Sequence, residues 1–168
     1  MSIAGTILPE FDQEMESTRK MLSRAPAEDF GWAPHPKSMT LGRLVSHLCN
    51  LPVWAVLTLD RTALDINPDG KPLTTPQHDS VESCLTAFDA NVKAAREWLA
   101  KSGDEDLQLM WSLQSAGKTL MTVPRVVCIR SFVLNHMIHH RGQLSVYLRL
   151  RGALVPGMYG PSADEAPM

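Results

Sequence analysis

Apolar residues fall into four stretches of helical spacing, separated by runs in which that spacing breaks down. In the first, from about Ile3 to Ser23, Ile7, Phe11, Met15 and Leu22 recur on one stripe that Thr18 completes. Pro26 and the run Trp32-Ala33-Pro34-His35-Pro36 prevent continuation, since proline lacks the backbone donor and disfavours helix at the residue before it. Ser38 or Thr40 can cap a second helix reaching about Leu59, with a kink expected at Pro52. The sequence Asn67-Pro68-Asp69-Gly70-Lys71-Pro72 signals a turn inside a polar loop from about Asp65 to Asp79. Asp79, with Glu82 three residues on, resembles a capping box opening a third helix. Its stripe is Val81, Leu85, Phe88, Val92, Ala95 and Leu99, and Ser102-Gly103 ends it.

The period changes between Asp104 and Met121. Leu107, Leu109, Trp111 and Leu113 alternate with more polar residues, and Ala116-Gly117-Lys118 can turn the chain back. The pattern predicts a short extended hairpin packed on the side of the helices. Thr122 as cap and Pro124 near the first helical position then open a long fourth helix, which Gly152 ends. Four amphipathic helices predict an all-α four-helix bundle formed by residues 1–168 as one domain. Residues 153–168 are expected to form an irregular tail.

The composition excludes several classes of function. The 16 Lys and Arg against 18 Asp and Glu leave no basic excess for nucleic acid. No apolar run approaches a membrane span, and the opening MSIAGTILPEFDQEME turns acidic before an apolar stretch develops, so no signal peptide is expected. Cys49, Cys84 and Cys128 form no CxxC pair and read as buried free thiols of a cytoplasmic protein.

The candidate chemistry lies in the histidines. His35 and His78 fall in loops, where solvated side chains are expected. His136 and His140 are four residues apart, so they stand one turn apart on one helix face, a spacing that lets two imidazoles reach one ion. At about 100° per residue that face also carries Ile129, Phe132, Gln143 and Tyr147. His47 shares the inward face of the second helix with Thr40, Leu44, Leu51 and Trp54, and His139 sits at the edge of the fourth helix's stripe. Three inward imidazoles without partners would cost about 1–3 kcal/mol per unpaired group, which a shared divalent ion would relieve. His47, His136 and His140 are therefore the candidate metal ligands. Met137, Ile138 and His139 separate the pair, so the glutamate of HExxH is missing and a metalloprotease is excluded. Cys49 and Cys128 point away from the histidine directions, while Trp54 and Tyr147 are candidate walls of a pocket.

The run Asn135-His136-Met137-Ile138-His139-His140-Arg141-Gly142-Gln143-Leu144 resembles the fourth-helix signature of the DinB/YfiT-like metalloproteins. Ser38-Met39-Thr40-Leu41-Gly42-Arg43-Leu44-Val45-Ser46-His47-Leu48 resembles their second-helix motif, and Trp32-Ala33-Pro34 their interhelical loop. The resemblance spans the chain. It implies a four-helix bundle of DinB/YfiT type, commonly a homodimer, with a divalent metal on residues that map to His47, His136 and His140. Characterised relatives include S-transferases and an isomerase that use low-molecular-weight thiols such as bacillithiol or mycothiol.

Three nitrogen ligands leave an open coordination position, the catalytic pattern. The reading is a metal-dependent enzyme, with zinc or nickel the first candidates for the ion. It would act as a thiol-dependent S-transferase on a small electrophile. Arg43, one turn before His47, is the candidate contact for an anionic thiol cofactor, or else a surface arginine at the rim. A metal-dependent hydrolase needs the same ligands, and a non-catalytic stress-response metalloprotein with a structural ion is the third reading. No residue is assigned as catalytic acid or base. Asp164 and Glu165 reach the site only if the tail folds back.

Overall fold

Helix α1 covers Ile3–Leu22, with the Ser2 hydroxyl accepting from the Gly5 amide, and it buries Ile7, Phe11, Met15, Thr18 and Leu22 as its stripe predicts. The computed structural model describes residues 2–165. Met1 and residues 166–168, the last of the expected tail, lie outside the described residues. Thr40, rather than Ser38, caps α2 (Leu41–Asn50). Pro52 then divides the second helix: α3 (Val53–Asp60) follows after the proline removes a donor from the ladder.

Helix α4 (Val81–Lys101) is capped by Ser80, whose hydroxyl accepts from the Ser83 amide; Asp79 is not its cap. Helix α1 packs on α4 and on the final helix, while α2 and α3 pack on α4. Ile7, Phe11, Leu44, Leu48, Phe88, Leu99, Val133 and Leu144 meet in one core.

The all-α expectation is overturned by a three-stranded mixed sheet of order β1-β2-β3. The hairpin of β2 (Met110–Ser115) and β3 (Lys118–Pro124) occupies the segment read as alternating. The third strand, β1 (Ala63–Asp65), pairs parallel to β2 with Leu64 opposite Leu113. The sequence pattern assigned no strand to this segment, and its formation depends on distant partners. The Asp65 carboxylate accepts from the amides of Asn67, Ala116 and Gly117 at 2.8, 3.1 and 2.8 Å. It thereby holds the hairpin turn, where Ala116 and Gly117 have φ of 49° and 76°. Those backbone donors, Gly117 first, also lower the Asp65 pKa. Trp111 and Leu113 point inward with Leu64 and Cys128 to form a second core against α3.

Two boundaries in this region also differ from expectation. Asp104–Gln108 is a short helix, α5, rather than the start of the extended stretch. Thr122 does not cap the fourth helix: it lies in β3 opposite Ser112, and the strand runs to Pro124, where a missing amide donor costs no ladder bond. The last helix then runs as α6 (Arg125–Cys128), a π-helical stretch (Ile129–Asn135) and α7 (His136–Leu150). Beyond Gly152, φ 73°, the tail has no regular structure up to Glu165, and Ala153, Val155 and Met158 pack on the main core.

Candidate metal centre

The π-helical stretch ends at Asn135, immediately before the first of the two helical histidines. Its wider i→i+5 turn slips the phase of the helix, so the uniform 100° projection fails upstream of His136. Ile129 faces the main core, whereas Phe132 turns to the second core and stacks on Trp54 with centroids 5.9 Å apart. Downstream the α-helical spacing holds, and His136 and His140 stand on one face.

The structure brings the three sequence-predicted ligands together. His136 Nε2 lies 3.3 Å from His47 Nε2 and 2.8 Å from His140 Nε2. Ligand atoms of all three rings lie within 4.8 Å of one another, and no carboxylate or thiol joins the cluster among the described residues. Nitrogens bound at about 2.0–2.1 Å around a tetrahedral ion are roughly 3.3 Å apart, so the trio fits a zinc-sized ion after small adjustments.

The protonation chemistry points the same way. His140 Nδ1 lies 2.7 Å from Gln143 Oε1, an acceptor, so its proton sits on that side and its Nε2 presents a lone pair. His136 Nε2 has both other imidazoles as neighbours, yet it carries at most one proton. One hydrogen bond can therefore form there, and the remaining contact is left unsatisfied unless a cation sits among the nitrogens. Burial, followed by repulsion from His140 and His136, pushes the His47 pKa down to about 4. Burial also lowers His136, where a backbone bond to Phe132 pulls the other way, and lowers His140, where Gln143 opposes it. The neutral imidazole is the form that ligates a metal.

These depressed values give the metal-free protein a defined pH response. Unfolded, His47 takes up its proton near pH 6.5; folded, only near pH 4. Between those limits the unfolded state binds more protons, so stability falls as pH drops. Urea midpoints of the metal-free protein should decrease from pH 7.5 to pH 5, and His47→Ala should flatten that decrease. A midpoint that stays level or rises would contradict the buried, neutral trio.

The remaining sequence-predicted residues are not members of the trio. His139 is exposed, its ring 4.8 Å from that of His140 and outside the trio. His35 is exposed and accepts from the Lys37 amide, but His78 is part-buried, with Nε2 unpartnered, rather than fully solvated. Arg43 is exposed on the first turn of α2, and its guanidinium makes no hydrogen bond among the described residues. Cys49 donates to the Cys84 carbonyl and Cys128 contacts Thr58 Oγ1, so neither faces the trio. The Cys49 thiol is pushed up by its bond with Cys84 and by burial, and the Cys128 thiol by burial. Tyr147 packs edge-on against Trp32 and donates to the Met39 carbonyl. Asp164 pairs with Arg149, and Glu165 accepts from the Gly157 amide, so neither supplies a ligand.

Sequence reasoning placed Gln143 on the correct face but did not identify its part in orienting His140. It missed Arg141 altogether. That side chain is 3% exposed and its Nη2 lies 2.6 Å from the Glu14 carboxylate on α1, locking the residue next to His140 against the opposite helix.

The sequence profile of the DinB family matches residues 1–167. An uncharacterized protein of Bacillus subtilis, YrdA, is 26% identical over 160 residues, covering 94% of this chain and 89% of its own length. The crystal structure of a DinB-like protein from Bacillus cereus superposes with a TM-score of 0.70 at 28% identity, covering 94% of this chain and 98% of that one. A DinB-like protein of Bacillus subtilis, YjoA, shares the fold with a TM-score of 0.68 at 18% identity, covering 91% and 97%.

Proposed function

The chain belongs to the DinB family, and from that premise we propose that it is a metal-dependent enzyme holding one divalent ion on His47, His136 and His140. Zinc and nickel are the first candidates, and the proposed reaction joins a low-molecular-weight thiol to a small electrophile. The observation that carries this reading is the convergence of three ring nitrogens, with the outer nitrogen of His140 held by Gln143. His47, His136 and His140 would hold the ion, which when bound would supply the Lewis acidity that lowers the pKa of a thiol.

The protein's own residues position and desolvate. His47 reaches across from α2 to the pair on α7, and Gln143 fixes the ring plane of His140. Arg43, one turn before His47 and without a side-chain hydrogen bond among the described residues, offers its guanidinium to a carboxylate of the thiol. The same proposal includes a homodimer, for which exposed Leu109, Met110 and Leu120 around the hairpin supply apolar surface. Sedimentation equilibrium checks it.

The test loads the protein with zinc or nickel and follows a thiol's reaction with 1-chloro-2,4-dinitrobenzene by absorbance. A carbon–sulfur bond forms, chloride leaves and the thiol proton goes to buffer. Turnover that requires both metal and thiol supports the proposal. Hydrolysis of activated esters without thiol would replace it with the hydrolase reading, and bound metal with neither activity would leave a structural ion.

Gln143→Leu tests the orienting bond separately. Losing such an outer partner typically weakens metal binding about 10–100-fold. Zinc competition with a chromophoric chelator should report a shift of that order, and an unchanged affinity would remove Gln143 from the centre.

A further inference from the structure

A cavity of about 500 Å³ lies between α3, β1, the segment 71–77 and α4, within the size range of small-molecule sites. Val53, Trp54, Leu57, Leu64, Ile66 and Leu73 form its apolar wall, and no charged side chain lines it among the described residues. Trp54 is held from behind by its stack on Phe132 and by Trp111 at 6.5 Å, so this face is formed before any ligand arrives. Leu73, 48% exposed, stands on a segment tied down by its own amide bond to the Ile66 carbonyl and by Asn50.

Two carboxamides on different elements, Asn50 and Asn91, also line the cavity. In both, the amino end is already committed. Asn50 Nδ2 donates to the carbonyls of Ser46 and Pro76 at 2.7 and 3.0 Å, and Asn91 Nδ2 donates to the Cys49 carbonyl at 3.1 Å. Their oxygens accept from no protein donor among the described residues. A ligand there meets an uncharged, mainly apolar wall that also carries the two carboxamide oxygens and the hydroxyls of Thr74 and Thr75. A charged ligand would lose hydration without compensation, whereas an N–H or O–H on a neutral ligand would find an acceptor in either carboxamide.

We infer that this cavity is a binding site for a neutral, predominantly apolar small molecule that presents an N–H or O–H donor to Asn50 and Asn91. The site is separate from the metal reading, because none of the three histidines lines it.

The probe is N-phenyl-1-naphthylamine, which is neutral and apolar, carries one N–H and fluoresces on entering an apolar site. The full-length protein should bind it saturably, one per chain. 1-Phenoxynaphthalene, which lacks the donor, should displace it with an affinity lower by about fivefold, the worth of one hydrogen bond. Leu57→Glu should weaken probe binding at least tenfold, while His136→Ala leaves it unchanged. Methyl NMR of the wild type keeps the test independent of that variant's folding: probe contacts should appear at Leu57, Leu64 and Ile66. Absence of saturable binding, contacts confined to methyls outside the cavity lining, equal affinity of amine and ether, or loss of binding in His136→Ala would each overturn the inference.

Discussion

His136→Ala is expected to abolish metal binding, from about one divalent ion per chain to none, as read by mass spectrometry of dialysed protein. His136 is the sensitive position because its Nε2 lies within 3.3 Å of His47 Nε2 and 2.8 Å of His140 Nε2. Without it, two imidazoles from different helices remain, and the paired set on α7 is gone. Zinc at about 100 times its Kd should stabilise the wild type by about 2.7 kcal/mol and the variant not at all. The metal-free variant should remain cooperatively folded, with a urea midpoint near that of the metal-free wild type. Removing the half-buried ring relieves its crowding against His47 Nε2 but also takes away the partner of His140 Nε2, so the two effects oppose. A variant that is folded yet empty separates a lost ligand from a lost fold. A variant that keeps its metal, or loses it only by unfolding in the metal-free state, would remove the centre assigned here.

Arg141→Met is expected to give the largest loss of stability, about 3–5 kcal/mol in urea unfolding, because it strands a buried carboxylate. Arg141 and Glu14 are 2% and 5% exposed. The guanidinium donates to the Glu14 carbonyl and to Thr18 Oγ1 at 3.0 and 3.2 Å, and to the Tyr159 hydroxyl at 2.7 Å. Tyr159 in turn donates to the Glu14 carboxylate, so the tail closes the ion pair from outside. Removing the arginine leaves Glu14 with its desolvation cost and no cation. Replacing both, as Arg141→Met with Glu14→Leu, should recover a large part of the loss, since two apolar side chains of similar volume suit the same space. A single variant within about 1 kcal/mol of the wild type would mean that water or another group reaches Glu14. The pair also concerns the three histidines, because Arg141 follows His140 and ties α7 to α1 through Glu14.

The corrections share a cause in long-range contacts. Period-two alternation revealed the hairpin, since Trp111 and Leu113 bury the same face of β2. It did not reveal β1, whose three residues carry no pattern of their own and are held by β2 and by the Asp65 carboxylate at the hairpin turn. Thr122 was a plausible cap by type, yet the ladder claimed it. The π-helical stretch left no trace in residue identity, so Ile129 and Phe132 could not be separated by a projection that assumed even turns. Buried pairs such as Arg141–Glu14 are equally silent in sequence, where an arginine beside a histidine reads as surface.

What the sequence determined by itself was the amphipathic stripes and the inward faces on which His47 and the His136/His140 pair stand, because each rests on spacing within one element. Stripes at helical period must face a core, and residues four apart on a helix must share a face. Tertiary structure alone decided how those faces met. It brought His47 on α2 to the pair on α7, added a strand from a segment without a pattern, and turned Arg141 onto Glu14. Each of these depends on a partner dozens of residues away, and local periodicity carries no information about which distant surface a face will bury against.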